Sequence, residues 1–321
     1  MQIPVVMAAN EAFAMPACVA MHSILANKKI TVNYRFYLLV QKKFSRDITS
    51  KFDKLFHLYA GSCLEYIEMD TQFDDVPANP RFTKEAYYRL KIADILSNEN
   101  KCIYLDADII VNGDISELWT FNLGNNYVGA VIDVLGQHRC KPLGILNESS
   151  YINSGVLLFN LHAIRRDDIT EKFMKLTGEG YVYPDQDIIN KVCNGRISFL
   201  PFKYNVMVQT MFSSTLFNGV YSGAKVNEAL DNPLIIHYNI GEKPWNTYNI
   251  HARLYHLWHK NAADSPFNMD VNKDLFNAKF ELPLTPDFYE TRYKELVKSS
   301  SYRIGRVITF IPGLIKRIIR G

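Results

Sequence analysis

Lys101 to Val111 reads KCIYLDADIIV, and this stretch constrains the fold more than any other. The apolar run Ile103-Tyr104-Leu105 ends in Asp106-Ala107-Asp108, and apolar residues resume at once. Such a run is the signature of a buried β-strand with two carboxylates at its carboxyl end. Open α/β sheets bind their ligands at that edge. Burying a bare carboxylate costs several kcal/mol or more. A cation is therefore expected beside Asp106 and Asp108, and a divalent metal is the first candidate. A polar loop beginning after Leu105 is the plainer explanation of the same residues.

The surrounding chain predicts alternating elements. Strands are expected at Gln2–Ala9, Val32–Val40 and Cys63–Met69, with helices at Pro16–Lys28 and from Ser45 to about Tyr59. This β-α-β-α-β order implies a mostly parallel sheet covered by helices on both faces. Further on, Thr83–Ser97 reads as one helix, Tyr127–Asp133 and Asn153–Leu161 as strands, and His162–Thr177 and Pro184–Asn194 as helices. Leu135–Ser150 has no clear period, and connections of that length are often lids or binding loops.

The chain has 321 residues, 48% of them hydrophobic and 21% charged, enough for a sizeable globular core. Cys18, Cys63, Cys102, Cys140 and Cys193 are scattered and form no CxxC, as expected of reduced thiols in a cytoplasmic protein. No signal peptide and no bilayer-length apolar run is read. The net charge of +3 hides a basic terminus: residues 292 to 321 carry +7 and the rest −4. That balance argues against general nucleic-acid binding. Ile304, Val307, Ile308, Ile311, Leu314, Ile315 and Ile318 recur near helical spacing among Arg303, Arg306, Lys316, Arg317 and Arg320. The segment is expected to lie on an anionic membrane surface. The predicted division is a main α/β domain at 1–264 and a small basic helical, membrane-associating extension at 265–321.

Other candidates carry a chemical and a structural explanation each. His237 ends the apolar run Pro233-Leu234-Ile235-Ile236, and Asp, Asp and His with open positions suit Mn²⁺. Lys243 is six residues further on and within reach of a phosphate. Arg89 and Lys91 lie two apart on a helix, so only one need face a site. Asp185-Gln186-Asp187 opens a helix, where acids also favour the dipole. No P-loop, Rossmann fingerprint, HExxH or GxSxG is present.

Taken in order, VVMAANEAFAMPACVA, YYRLKIAD, CIYLDADIIVNGDISELW, YINSGVLLFNL with PDQDIIN, and IIHYNIGEKPW span residues 3 to 245. Together they resemble family 8 of the retaining glycosyltransferases, which includes bacterial galactosyl- and glucosyltransferases of lipopolysaccharide or lipooligosaccharide, and glycogenin. The resemblance implies an α/β GT-A fold and a UDP-hexose donor. It implies Mn²⁺, with Mg²⁺ as the alternative, held by Asp106, Asp108 and His237. It puts Ala8 and Asn10 along the nucleotide and Phe13 against uracil. Lys91 would touch the donor with Arg89 close by, and Ala107 would lie between the ligands. Asn153 and Ser154 would sit beside the sugar, Asp185 and Gln186 at its anomeric carbon, and Gly241 and Lys243 at the diphosphate; the Gln186 amide oxygen is the first candidate to face the cationic sugar carbon, and Asp185 the second. The implied acceptor is a glycan or lipid-linked glycan, and the implied location is the inner face of the cell membrane. Relatives often carry Asp where Asn10 stands and Tyr where Phe13 stands. A DxD phosphotransferase is disfavoured by Ile109-Ile110 after the motif, and a non-catalytic nucleotide-sugar binder by the intact acids, His237 and Lys243.

Overall fold

Strand β1 (Gln2–Ala8) is apolar at nearly every position, because in a parallel sheet both of its faces are covered. It pairs in parallel with β2 (Asn33–Val40), which pairs in parallel with β3 (Cys63–Glu68). Helices α1 (Ala14–Ala26) and α2 (Arg46–Leu58) form the crossovers. The structure, a computed structural model, describes residues 1–69, 71–74, 76, 83–208, 220–239, 243–246 and 254–267. These fall in the unit Met1–Thr210 with Thr215–Val271; the other unit, 211–214 with 272–321, lies outside them. The predicted basic helix is therefore outside the described residues, as is Gly241.

The Thr83–Ser97 segment is not one helix. Short helices α3 (Glu85–Tyr88) and α4 (Ile92–Ile95) flank a 3₁₀ turn at Arg89–Lys91. Mid-helix 3₁₀ turns often mark functional positions, and this one buries the Arg89 side chain. Strand β4 (Cys102–Leu105) then joins β1 in parallel. At Asp106 the chain leaves this sheet. Three residues later it enters a second one as β5 (Ile109–Val111). The apolar run resumes after Asp108 because a new strand in a different sheet begins there.

Helix α5 (Ser116–Thr120), strand β6 (Val128–Ile132) and strand β7 (Ile152–Phe159) follow. Strand β7 is antiparallel to both β4 and β6. The predicted helix after it divides into α6 (Leu161–Arg166) and α7 (Ile169–Leu176), because Asp168 adopts a positive φ of 51°. Helix α8 (Pro184–Val192) and strand β8 (Ile197–Phe199), parallel to β6, complete the main layer. The seven strands lie in the order β3-β2-β1-β4-β7-β6-β8. The second sheet has β9 (Val206–Met207) and β10 (Ile235–His237), in the order β5-β10-β9. Helix α9 (Gly223–Asp231) precedes β10, and α10 (Tyr255–Asp264) follows it.

One face of the main sheet, with Val6, Leu39, Tyr104 and Leu157, packs beneath residues of α3, α4, α6, α7 and α8. The alternate positions Val5, Phe36, Leu38, Ile103 and Leu105 are buried as well, so both faces are covered. The 135–150 segment is not structureless. It contains 3₁₀ turns at Gln137–Arg139 and Lys141–Leu143, and Cys140, Leu143, Ile145 and Tyr151 form a small core of their own. Arg139 Nη2 anchors the segment to Asp187 Oδ2 at 2.7 Å. All five cysteines are free thiols. No described helix is long and apolar enough to cross a membrane.

Candidate active site

Two strand registers assemble the site. Leu105 pairs with Val156, and the Asp106 N–H donates to Gly155 O at 2.8 Å. His237 pairs with Ile109, and the Tyr238 N–H donates to Asp108 O at 2.9 Å. Asp106, Gly155, Asp108 and His237 therefore meet where the chain passes between sheets. A Cβ at Gly155 would overlap His237 Cε1 and lie 2.7 Å from Asp106 Oδ2. Glycine is required here for space.

Each carboxylate has one oxygen held and one free to turn inward. Asp106 Oδ1 accepts from Arg89 Nη2 at 2.8 Å and from Tyr104 OH at 2.9 Å. Asp108 Oδ2 accepts from Lys243 Nζ at 2.6 Å. The remaining oxygens approach one ring nitrogen, with His237 Nε2 at 3.8 Å from Asp106 Oδ2 and 3.3 Å from Asp108 Oδ1. The three ligand atoms lie within 4.8 Å of one another. Burial alone would raise the Asp108 carboxyl, but Lys243 and then His237 outweigh it and hold it below the usual carboxylate range. Two carboxylate oxygens and an imidazole nitrogen converging on one point suit a divalent cation of the first transition row. The residues present fit such an ion.

The opposite wall is β7 and the first turn of α8. Gln186 Oε1 accepts from Ser154 N at 3.0 Å, Asn153 Nδ2 at 3.1 Å and Ser154 Oγ at 3.3 Å. Its lone pairs are committed to the protein, contrary to an amide oxygen open toward a sugar carbon. Asp185 remains as the carboxylate of the pair. It accepts from Ser154 Oγ at 2.8 Å and is paired with Arg89 Nε at 3.2 Å. Burial raises the Asp185 carboxyl, and Arg89 works against that rise. Arg89 is itself buried, and although burial disfavours its charge, Asp106 and Asp185 more than restore it. One guanidinium thus braces both walls. Asp187 is fully buried, with Tyr151 OH donating at 2.6 Å and Arg139 on its other oxygen. It anchors the 135–150 segment.

Between the walls lies a cavity of about 390 Å³, within the range of small-molecule sites. The predicted residues Ala8, Asn10, Phe13, Arg89 and Ala107 line it with the triad, Lys243, Asn153, Ser154, Asp185 and Gln186. Lys91 does not. The 3₁₀ turn sends Arg89 inward, and a residue two positions on faces elsewhere. At the far end the Phe13 ring meets Trp245 edge-on, with centroids 5.7 Å apart. Asn10 Oδ1 caps Phe13 N at 3.2 Å, and Asn10 Nδ2 lies 3.4 Å from Glu85 Oε2. Buried Glu85 thus brings a carboxylate beside the amide. Glu85, Asp133, Gly155 and Asn205 escaped the sequence reading. The only signal for Gly155 was its place inside NSGVLLF; the other three had none, since three-dimensional neighbours define them.

The pattern of "Glycosyl transferase family 8" matches residues 4–249. General stress protein A of Bacillus subtilis is 32% identical over 200 residues, 60% of this chain and 70% of that protein. Lipopolysaccharide 1,2-glucosyltransferase of Escherichia coli is 28% identical over 306 residues, 92% of this chain and 86% of that one. Among solved structures, the WbbM bifunctional glycosyltransferase superposes with a TM-score of 0.75 at 26% identity. That match covers 85% of this chain but only 51% of WbbM, about half its length. The galactosyltransferase LgtC, solved with donor and acceptor sugar analogs, gives a TM-score of 0.69 at 24% identity, covering 86% of this chain and 99% of LgtC. That likeness concerns the fold.

Proposed function

This chain belongs to glycosyl transferase family 8, and from that premise we propose that it moves a hexose, galactose or glucose, from a UDP-sugar to a hydroxyl of a glycan, with the anomeric configuration kept. The acceptor we infer is a lipid-linked surface glycan such as lipopolysaccharide, in keeping with the E. coli 1,2-glucosyltransferase that matches most of the chain. The observation that carries this reading is the convergence of Asp106 Oδ2, Asp108 Oδ1 and His237 Nε2 beside Lys243.

Those three atoms would hold Mn²⁺, or Mg²⁺ in its place. Such an ion supplies Lewis-acid stabilisation of a departing diphosphate. Lys243 adds positive charge where negative charge develops. Phe13 offers a ring face to the base. Glu85 and Asn10 together present an acceptor and a donor, which complement the N3–H and a carbonyl of uracil. Asp185 balances positive charge at the anomeric carbon, held in place by Ser154 and Arg89. Asp187 is buried and fully engaged, which favours same-face attack over a covalent sugar on that residue. In this scheme a UDP oxygen takes the acceptor proton. A sugar trapped on Asp185 or Asp187 of the wild-type enzyme would refute the scheme.

Turnover on a panel of UDP-sugars with Mn²⁺ tests the donor assignment. UDP release from one UDP-hexose above all others is the expected result. Tight binding with no release from any donor would leave a non-catalytic binder. For the basic residues 302 to 321, we propose contact with an anionic membrane. Deleting them should abolish binding to anionic vesicles and leave UDP binding intact; unchanged vesicle binding would contradict the assignment.

A further inference from the structure

The backbone of β7 dictates the proton position on a side chain of the other sheet. Ser154 and Gly155 present N–H groups, which can only donate. Ser154 N meets one end of the Gln186 amide at 3.0 Å, and Gly155 N meets one end of the Asn153 amide at 2.9 Å. Both ends must therefore be oxygen. Asn153 Nδ2 then donates to Gln186 Oε1 at 3.1 Å, and Gln186 Nε2 donates to Asp133 Oδ2 at 3.2 Å. The oxygen of Asn153 lies 2.8 Å from one end of the Asn205 amide, so that end must be nitrogen. The other end, Asn205 Oδ1, lies 3.1 Å from His237 Nδ1. An oxygen facing Nδ1 requires a proton on Nδ1. Reversing either the Asn153 or the Gln186 amide would set N–H against N–H. Reversing Asn205 would set oxygen against oxygen at Asn153. Asn205 is fully buried, and Asn153, Gln186, Asp133 and His237 are nearly so, which leaves bulk water little room to correct a mismatch.

We propose that this one-way chain of amides keeps a proton on His237 Nδ1, with Asn205 as the positioning residue, and thereby turns Nε2 toward Asp106 Oδ2 and Asp108 Oδ1. The inference deepens the reading of those three residues as a divalent-metal triad, and its purpose rests on that reading. An imidazole that binds metal through one nitrogen needs its other N–H anchored, and here the anchor is a neutral amide. The chain also ties the triad to Gln186 on the sugar wall. The metal ligand and the sugar-facing turn are held by one continuous set of bonds.

The tautomer is read directly in metal-free, full-length protein labelled with [¹⁵N]histidine, using two-bond ¹H–¹⁵N correlations at mildly alkaline pH. The His237 signals are assigned by their loss in His237→Gln. Wild type should show a proton on Nδ1, whether or not Nε2 also carries one toward Asp106 and Asp108. Asn205→Leu, of similar shape but unable to accept, should shift the ring toward the Nε2–H form that free imidazole side chains prefer in water. Asn205→Asp loses the donor to Asn153 but can still accept from Nδ1–H, and should keep the Nδ1 proton. Mn²⁺ affinity, measured by electron paramagnetic resonance, should fall about ten- to hundredfold in Asn205→Leu. A wild-type ring protonated on Nε2 alone, or an unmoved Nδ1 proton or Mn²⁺ affinity in Asn205→Leu, would overturn the inference. Should wild type show Nδ1–H and yet bind no Mn²⁺, the amide chain would stand and the metal reading would fall. The wild-type spectrum needs no variant other than the one used for assignment, so poor folding of an Asn205 variant cannot hide a negative result.

Discussion

On one wall of the cavity Asp106 and Asp108 are met by Arg89 and Lys243, while on the other Asn153, Gln186 and Asn205 are met mostly by amides and backbone N–H groups. The charged wall is built around net charge. Its cations hold one oxygen of each acid and leave the other exposed to a ligand, which suits a diphosphate and its counterion. The amide wall is built around direction. Each group there has a donor end and an acceptor end in a fixed order, which suits the reading of sugar hydroxyls. Arg89 and the Asn205–His237 contact are the joints between the two. Under the proposed function the leaving group would lie on one side and the transferred sugar on the other.

The sharpest way to break this contrast is Gly155→Ala, which forces a methyl into the space between His237 and Asp106. Metal-supported transfer should fall by about a hundredfold or more, as expected when a metal-ligand geometry is displaced. Mn²⁺ titration should show the accompanying loss of affinity, and a variant with wild-type Mn²⁺ affinity would show that the triad tolerates the crowding. Asp185→Asn sharpens the contrast from the other side. Asparagine still accepts from Ser154 and Arg89, but it carries no charge. The transfer rate should fall by about a hundredfold while UDP affinity changes by no more than a few-fold. Equal losses in both would assign Asp185 to the diphosphate side. The smallest effect is expected at the base end. Glu85→Leu removes the acceptor beside Asn10, and UDP should bind roughly five- to tenfold more weakly, about the worth of one ordinary hydrogen bond. Isothermal titration with UDP measures this, and an unchanged affinity would remove Glu85 from the nucleotide site.

Much of this arrangement was legible in the sequence. The order of strands and helices followed from apolar periodicity, and Asp106 and Asp108 declared themselves because two acids at the end of a buried run demand an explanation. His237 and Lys243 follow another such run, but position alone favours a core histidine and a solvated lysine; the resemblance singled them out. The structure supplied what periodicity cannot carry. Thr83–Ser97 has helical spacing throughout, and the 3₁₀ turn that turns Arg89 inward leaves no mark on that spacing. Arg89 lines the cavity and Lys91 does not, as expected of residues two apart on either kind of helix. The antiparallel insertion of β7 between β4 and β6 is a long-range pairing, yet it is what puts Gly155 against Asp106. Asn205 and Asp133 are single polar residues in otherwise ordinary segments. Their roles exist only through partners far away in sequence.

In the proposed function Asp106, Asp108 and His237 hold a divalent ion against the diphosphate of a sugar nucleotide. UDP release from the preferred UDP-hexose, followed with Mn²⁺, after chelation, and in Asp108→Ala, tests it most directly. Release that chelator abolishes and Mn²⁺ restores is the expected result, with a loss of about three orders of magnitude in the variant and the fold retained by circular dichroism. Release that survives chelation, or an Asp108→Ala variant within a few-fold of wild type, would contradict it.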